Sequence, residues 1–344
     1  MRIVRSAAPV RVCDNGGWTD TWFAERGRVF SIAVRPRVEV TLRLREPGRG
    51  RYAVAVENYG DRFEWQVGGA GPGRHPLIEA VLASGGLPAD RDGDLAIRCD
   101  VPAGASTGTS AVVAVALCGA VARAAGHVLP AHDAAVRAHD LETRRSGRES
   151  GVQDHFAAAY GGINLIEIDR YPAARVRRLP IAAATRAGLE RRLIFVYLGR
   201  AHESSDVHRT VIEGLRDAGP AAPPLESLRR AAGAAAAAVV AGDLDALGRA
   251  MRDNTDAQAD LHPALVGPDA RRVIDIAAAC GAAGWKVNGA GGAGGSVTIL
   301  GADADAARQA CVRAILDADT AFRHIPIQLD DDGLCVQDSR DGDG

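Results

Sequence analysis

No C-x-x-C pair, no long apolar run and no surplus of either charge occurs in this chain. Its six cysteines, Cys13, Cys99, Cys118, Cys280, Cys311 and Cys335, are scattered, as expected of a protein from a reducing compartment. The opening residues, MRIVRSAAPV, lack the apolar core of a signal peptide, so a cytoplasmic location is expected. The longest uncharged apolar runs, residues 111–122 and 231–241, fall short of the ~18 residues of a membrane span. A formal net charge of -2, with basic residues spread along the chain, gives no footprint for nucleic acid or an anionic membrane. What is present is ordinary globular composition: 344 residues, 47% hydrophobic and 24% charged, enough for two domains. The expected partner is a small, neutral to anionic molecule.

From Arg28 the sequence RVFSIAVRPRVEVTLRLRE alternates, with Val38, Val40, Leu42 and Leu44 on one side and Glu39, Thr41, Arg43 and Arg45 on the other. That period of two predicts half-buried strands. YAVAVEN and RFEWQV continue it, so the first hundred residues read as paired antiparallel strands with one helix near residues 76–84. Helical patterns follow over residues 108–125, 131–145 and 153–159, and INLIEI returns to strand. A Pro- and Ala-rich stretch at residues 177–187 suggests a boundary. Beyond it, RLIFVYLG reads as a strand, residues 225–251 as two alanine-rich helices broken near Gly242 and Asp243, and FRHIPIQ and GLCVQD as closing strands. These patterns give an α+β protein with domains at 1–185 and 186–338, and a disordered tail at 339–344.

Four segments could carry chemistry. DLAIRCD followed by PAGASTGTS places a loop of small residues between a strand and a helix start. Unpaired N–H groups and the positive end of the helix dipole suit phosphate there, and Ser106, Thr107, Thr109 and Ser110 add hydroxyls able to bind phosphate or Mg2+. No Lys-Ser/Thr pair follows a final glycine, so it is not a Walker loop; a plain capped turn is the alternative. KVNGAGGAGGSVTIL contains G-x-G-x-x-G at Gly289, Gly291 and Gly294, but a helix precedes it and a strand follows, the reverse of a dinucleotide-binding unit. It is either a loop that approaches a ligand or a turn. APVRVCDNGGWTDTW puts Arg11 in a strand and Asp14, Asn15, Thr19 and Asp20 around Gly16, Gly17 and Trp18, equipment for sugar hydroxyls or for an ordinary tight turn. In LETRRSGRESGVQDHFAAAYGG, Glu142 falls in the last turn of one helix and Asp154 at the start of the next, where an acid is also a common dipole partner.

In order and spacing, Arg11 with GGWTD, then PAGASTGTSA, SGVQDHFAAAYGG and KVNGAGG resemble the motifs of the GHMP kinase superfamily of galactokinase, homoserine kinase, mevalonate kinase and phosphomevalonate kinase. The resemblance covers nearly the whole chain. QDHFAAAYGGINLIEI and KVNGAGG are similar to the D-glycero-D-manno-heptose 7-phosphate kinase branch, and GGWTDT to the kinase region of L-fucokinases. The resemblance implies an N-terminal domain like ribosomal protein S5, a ferredoxin-like C-terminal domain, and a cleft where ATP meets a small alcohol. It implies phosphorylation of a sugar or sugar-phosphate hydroxyl, foremost the anomeric hydroxyl of the heptose 7-phosphate, with a fucokinase-like enzyme or a non-catalytic nucleotide- or sugar-binding relative as alternatives, in a monomer or homodimer.

Carried over position by position, Pro102, Gly104, Ser106, Thr107, Gly108, Thr109 and Ser110 hold the ATP phosphates, and Ser110 with Glu142 holds Mg2+. Asp154 is then the catalytic carboxylate and Arg11 the basic residue beside it. Trp18, Thr19, Asp20, Gly289, Ala290, Gly291 and Gly292 bind or support the substrate. A heptose phosphate also needs a basic clasp, for which Arg144, Arg145, Arg148 and His155 are near in sequence. The family's loop reads Gly-Leu-Gly-Ser-Ser-Ala where this chain has Ser106, Thr107, Gly108, Thr109, Ser110 and Ala111, so glycine's freedom at 106 is lost. Ala293 interrupts the third motif's glycines.

Overall fold

A long, twisted sheet built on two strands dominates the first half of the computed structural model, which describes residues 1–102, 104–147, 149–200, 211–215 and 219–340. Strand β1 (Arg2–Asn15) pairs antiparallel with β2 (Gly27–Arg45). The alternation in β2 sorts its side chains: Val38, Val40, Leu42 and Leu44 are at most 1% exposed, while Glu39, Arg43 and Arg45 face solvent. Strand β2 is long enough to serve two further partners, β5 (Asp92–Cys99) along its second half and β6 (Ile163–Arg170) along its first; β6 in turn carries β7 (Ala173–Arg178).

The outer edge differs from an all-antiparallel reading. Strand β3 (Arg51–Val56) forms a hairpin with β4 (Asp61–Gln66) but runs parallel to β5. The helix α1 (Pro76–Ala83) lies between β4 and β5, and such a crossover allows a chain to re-enter a sheet in parallel.

Helices α2 (Thr109–Ala124) and α4 (Gln153–Tyr160) cover this sheet, and α3 (Ala131–Asp140) packs on both of them. In α2 the buried residues are mostly Ala, Val and Gly, so hydrophobic burial is achieved with close approach to the strands. The helix expected over 131–145 ends its regular turns at Asp140 and continues as one π turn, Leu141–Arg145, closed by the Ser146 N–H donating to Leu141 O at 3.1 Å. Such a turn inserts an extra residue and rotates the side chains around it; here Leu141 and Glu142 point inward.

In the second half β11 (Arg323–His324), β8 (Leu193–Tyr197), β10 (Ser296–Leu300) and β9 (Gly284–Val287) make a four-stranded antiparallel sheet. Its Val196, Val287, Val297 and Ile299 pack with Val273, Ala277, Cys311 and Ile315 of two covering helices, Pro268–Ala279 and Asp305–Ala318. A helical hairpin, Pro223–Ala241 and Leu244–Leu261, breaks at the expected place: Gly242 has φ 75°, and Asp243 accepts a hydrogen bond from Ala246 N at 2.8 Å. Its first helix packs on β2 and its second on β9, so the principal core runs through both halves.

The expected boundary at residue 185 falls within the helix Ala183–Arg192. The chain's end also departs from expectation: β12 (Gln328–Leu329) pairs with β2, and β13 (Cys335–Arg340) with β1, from Ala7↔Cys335 to Arg2↔Arg340. GLCVQD therefore closes the first sheet, and Ser339 and Arg340, expected in a disordered tail, are strand residues because the open edge of β1 supplies partners; residues 341–344 lie outside the described residues. Among the described residues no helix is long and apolar enough to cross a membrane.

Candidate active site

The chemistry-bearing segments meet at one cleft of about 1080 Å³. Strand β1 delivers Arg11 and helix α4 delivers Asp154 in its first turn. Arg11 Nε donates to Asp154 Oδ1 at 2.7 Å, and Nη1 donates to Ser106 O at 2.5 Å. The arginine is 3% exposed; the Asp154 side chain, at 23%, opens to the cleft. Burial pulls the Arg11 pKa down, but Asp14 and Asp154 more than offset this, so it stays above its ordinary value and the guanidinium remains charged.

Of the residues expected to hold phosphate, Gly104, Ser106, Thr107, Gly108, Thr109 and Ser110 line this cleft. Gly108 precedes α2 with φ 74°, and a Cβ there would lie 2.7 Å from Asp154 Cγ. Only a residue without a side chain lets the helix N-terminus come this close to the carboxylate. Ser106 holds φ 57°: the left-handed conformation is retained although glycine is not. Thr107 and Thr109 hydroxyls are 3.1 Å apart. Pro102 is half-buried behind the loop and does not line the cleft.

The GGW turn divides its residues. Trp18 and Asp20 line the cleft, Trp18 with φ 78° and packed beside Phe23, Val211 and Leu215. Burial raises the Asp20 pKa to about 6, against the Gln153 N–H that donates to its Oδ2 at 3.0 Å. Thr19 faces inward: its hydroxyl donates to Gly16 O at 2.7 Å and accepts from Arg28 N at 3.1 Å, so it braces the turn and does not line the cleft. Asp14 and Asn15, read from sequence as candidates for sugar hydroxyls, are 0% exposed; Asn15 Nδ2 donates to Ala250 O at 2.9 Å. Of the third loop, Gly289 and Ala290 reach the cleft, whereas Gly291 is packed on Leu265 O and Gly292 bridges to Val266.

Glu142 and Ser110 both line the cleft. Glu142 is 2% exposed, with Oε2 2.8 Å from His155 Nε2. His155, named as a possible phosphate clasp, is wholly buried against this acid, and Arg144 pairs with Asp140 at 2.9 Å. Arg145 is exposed and does not line the cleft; Arg148 lies outside the described residues. Beneath Glu142, His139 stacks edge-on against His155 and meets the Tyr171 hydroxyl at 3.0 Å; burial, then His155, drives its pKa to about 4.

The cleft is also lined by an apolar recess of Val56, Pro76, Leu77, Ile97 and Val101, and by Asn58, Tyr59 and His75. The loop at residues 104–110, this apolar recess, Asp20, Trp18 and the Asp154 carboxylate thus share one cleft.

Two models of one family match the chain: the GHMP kinases N-terminal domain over residues 77–162 and the GHMP kinases C-terminal domain over residues 235–315. The chain belongs to the GHMP kinase family. It is 22% identical over 300 residues to a D-glycero-alpha-D-manno-heptose 7-phosphate kinase of Campylobacter jejuni, covering 86% of this chain and 88% of that protein. Its fold matches a D-glycero-D-manno-heptose 1-phosphate kinase from Bacteroides thetaiotaomicron with a TM-score of 0.75 at 20% identity, covering 97% of this chain and 98% of that one. A Lactococcus lactis galactokinase complexed with galactose gives 0.71 at 16% identity, over 97% and 95%.

Two residues of this GHMP kinase escape a reading of its sequence. Gln153, 7% exposed, lines the cleft beside Asp20, and its Oε1 has no hydrogen-bond partner among the described residues; its position directly before Asp154 was the available signal. Lys286 lies behind Arg11 by way of Asp14, 3.5 Å from that acid, which is itself 3.8 Å from the guanidinium. Nothing local in the sequence announces a pairing of residues 14 and 286.

Proposed function

We propose that this GHMP kinase transfers the γ-phosphoryl group of ATP to a sugar hydroxyl, foremost the anomeric hydroxyl of a heptose 7-phosphate. The observation that carries the reading is the Arg11–Asp154 pair, 2.7 Å apart and set against Gly108 at the N-terminus of α2. Phosphoryl transfer asks a protein mainly for alignment and charge stabilisation. The triphosphate lies along the loop at residues 104–110, its oxygens on the free N–H groups of the first turn of α2, and the nucleobase in the apolar recess. The acceptor hydroxyl faces Asp154. Arg11 occupies Oδ1 and leaves Oδ2 to take the hydroxyl proton as the new O–P bond forms and the bond to the ADP oxygen breaks. Arg11 offsets charge as it develops.

Ser110 and Glu142 are hard oxygen donors facing the same cleft, a set that fits Mg2+ with phosphate and water completing its shell. When bound, that ion supplies positive charge along the phosphates. On the acceptor side, Asp20, ionised above pH about 6, and Gln153 hold sugar hydroxyls, with Trp18 lining the same cleft.

Support for a heptose phosphate comes from the Campylobacter relative. A neutral sugar, as in a fucokinase-like enzyme, is favoured by a specific observation: Asp20, Glu149 and Glu213 all line the cleft, and carboxylates oppose a second phosphate. A panel of heptose, heptose 7-phosphate, fucose and galactose with ATP, read by phosphorus NMR for the sugar phosphate, separates the two. One product is expected. Binding of ATP and sugar with no phosphorylated product from any member would overturn the kinase reading in favour of a binding protein.

A further inference from the structure

Forty basic side chains of this chain are arginine and one is lysine, Lys286. That one is 1% exposed on β9, in the fully covered floor behind the cleft. Its Nζ lies 3.1 Å from Gln258 Oε1, 3.5 Å from Asp14 Oδ1, and in hydrogen-bond contact with Val287 O. All three neighbours are acceptors. An ammonium offers three protons to match them, whereas an uncharged amine has two and would turn its lone pair on an acceptor. Burial holds the Lys286 pKa below its ordinary value, an effect that Asp14 offsets only in part; the ring of three acceptors is the geometry that suits the charged form. A planar guanidinium, with its donors in a rigid fork, does not reproduce this compact tetrahedral set.

Asp14 is the other half of the arrangement. It is 0% exposed, its two oxygens accept from Gly289 N at 3.0 and 3.2 Å, and Oδ2 lies 3.8 Å from an Arg11 Nη2 that is too distant to donate to it. Arg11 thus stands between two carboxylates: hydrogen-bonded to Asp154, and merely near Asp14. Which acid holds the guanidinium decides whether its Nε points at the reaction centre.

We propose that Lys286 is a positioning residue for phosphoryl transfer: by pairing with Asp14 behind the cleft, it keeps that acid from drawing Arg11 away from Asp154 and Ser106. The proposal rests on the reading of the cleft as a kinase site. It also gives the third glycine loop a task, since Gly289 donates its N–H to Asp14 and sits over Ser106, where a Cβ would lie 3.1 Å from the serine's own Cβ. Without Lys286, Asp14 is a buried anion with Arg11 as its nearest cation, and a removed partner leaves a buried charge strongly uncompensated.

The test starts from full-length wild type, whose activity must be present for the variants to be read; its absence would count against the kinase reading and not against the pair. Lys286→Met is then expected to lower kcat by on the order of 10- to 100-fold with KM for ATP and sugar changed by less than about threefold, because alignment and not binding is lost. Removing both charges, in the Asp14→Asn/Lys286→Met double variant, is expected to recover most of kcat, a coupling that a purely structural role does not give. A folded Lys286→Met enzyme with wild-type kcat, or a double variant no faster than the single one, overturns the proposal. If Lys286→Met does not fold, the wild type still decides: labelled with 15N-lysine, it has a single Nζ signal, expected to report an ammonium at pH 7, and an amine signal there would overturn the pair.

Discussion

At the scale of single residues, the site sets two acids in contrasting surroundings. Asp154 is partly open and held by Arg11, whereas Asp20 is buried and titrates near 6. An unfolded Asp titrates near ~3.9, so between those values the native protein keeps a proton that the unfolded chain has released. Stability contributed by protonated Asp20 is therefore present at the acid end and falls as pH rises through about 4 to 6. Asp20→Asn retains an acceptor for Gln153 N and removes the titration. Thermal melts across that window should show the variant gaining on wild type as pH rises; parallel curves would refute the assignment. Asp20 is legible as a site residue in GGWTD, but Thr19 beside it is not separable from it by sequence. Both are small polar residues of one turn, and only the crossing of Arg28 over the turn directs one inward.

At the scale of elements, the phosphate loop makes two opposite predictions. Ser106 carries a left-handed φ of 57°, which costs a non-glycine residue of order 1 kcal/mol. Ser106→Gly should raise the denaturant midpoint accordingly; a lower midpoint would show that contacts of the serine outweigh its backbone strain. Gly108→Ala adds a methyl 2.7 Å from Asp154 Cγ and should lower kcat by on the order of 10²-fold with a smaller effect on the melting temperature. Unchanged turnover would mean that the helix start does not abut the working carboxylate. The loop and its helix are readable because a strand, a glycine-bearing stretch and an apolar run are local signals. The π turn at Leu141–Arg145 is not: a π turn and an α turn share one hydrophobic pattern over five residues, and Glu142 and His139 are turned inward by tertiary contacts with His155 and Tyr171.

At the scale of the whole molecule, the two halves share the GGW turn, which the proposed function gives to the acceptor. Gly16 N donates to Asn254 Oδ1 at 2.6 Å and Cys13 N to Asn288 Oδ1 at 3.1 Å, both buried, so the second half of the chain fixes the GGW turn. Asn254→Ala leaves a buried N–H without a partner and should cost about 1–3 kcal/mol in a single unfolding transition, together with a raised KM for the sugar. Early melting of the second half alone would contradict this shared core. The return of residues 335–340 to the first strand belongs to the same scale and is not predictable from pattern. GLCVQD reads as a strand anywhere, and the free edge it fills is created more than three hundred residues earlier.

In the proposed mechanism Asp154, held by Arg11 and set against Gly108, handles the acceptor's proton. Single-turnover phosphoryl transfer in Asp154→Asn, with ATP affinity measured on the same preparation, tests that role most directly. Unchanged ATP binding and a rate lower by on the order of 10²-fold or more are expected. A transfer rate equal to that of wild type, with ATP bound equally well, would contradict it.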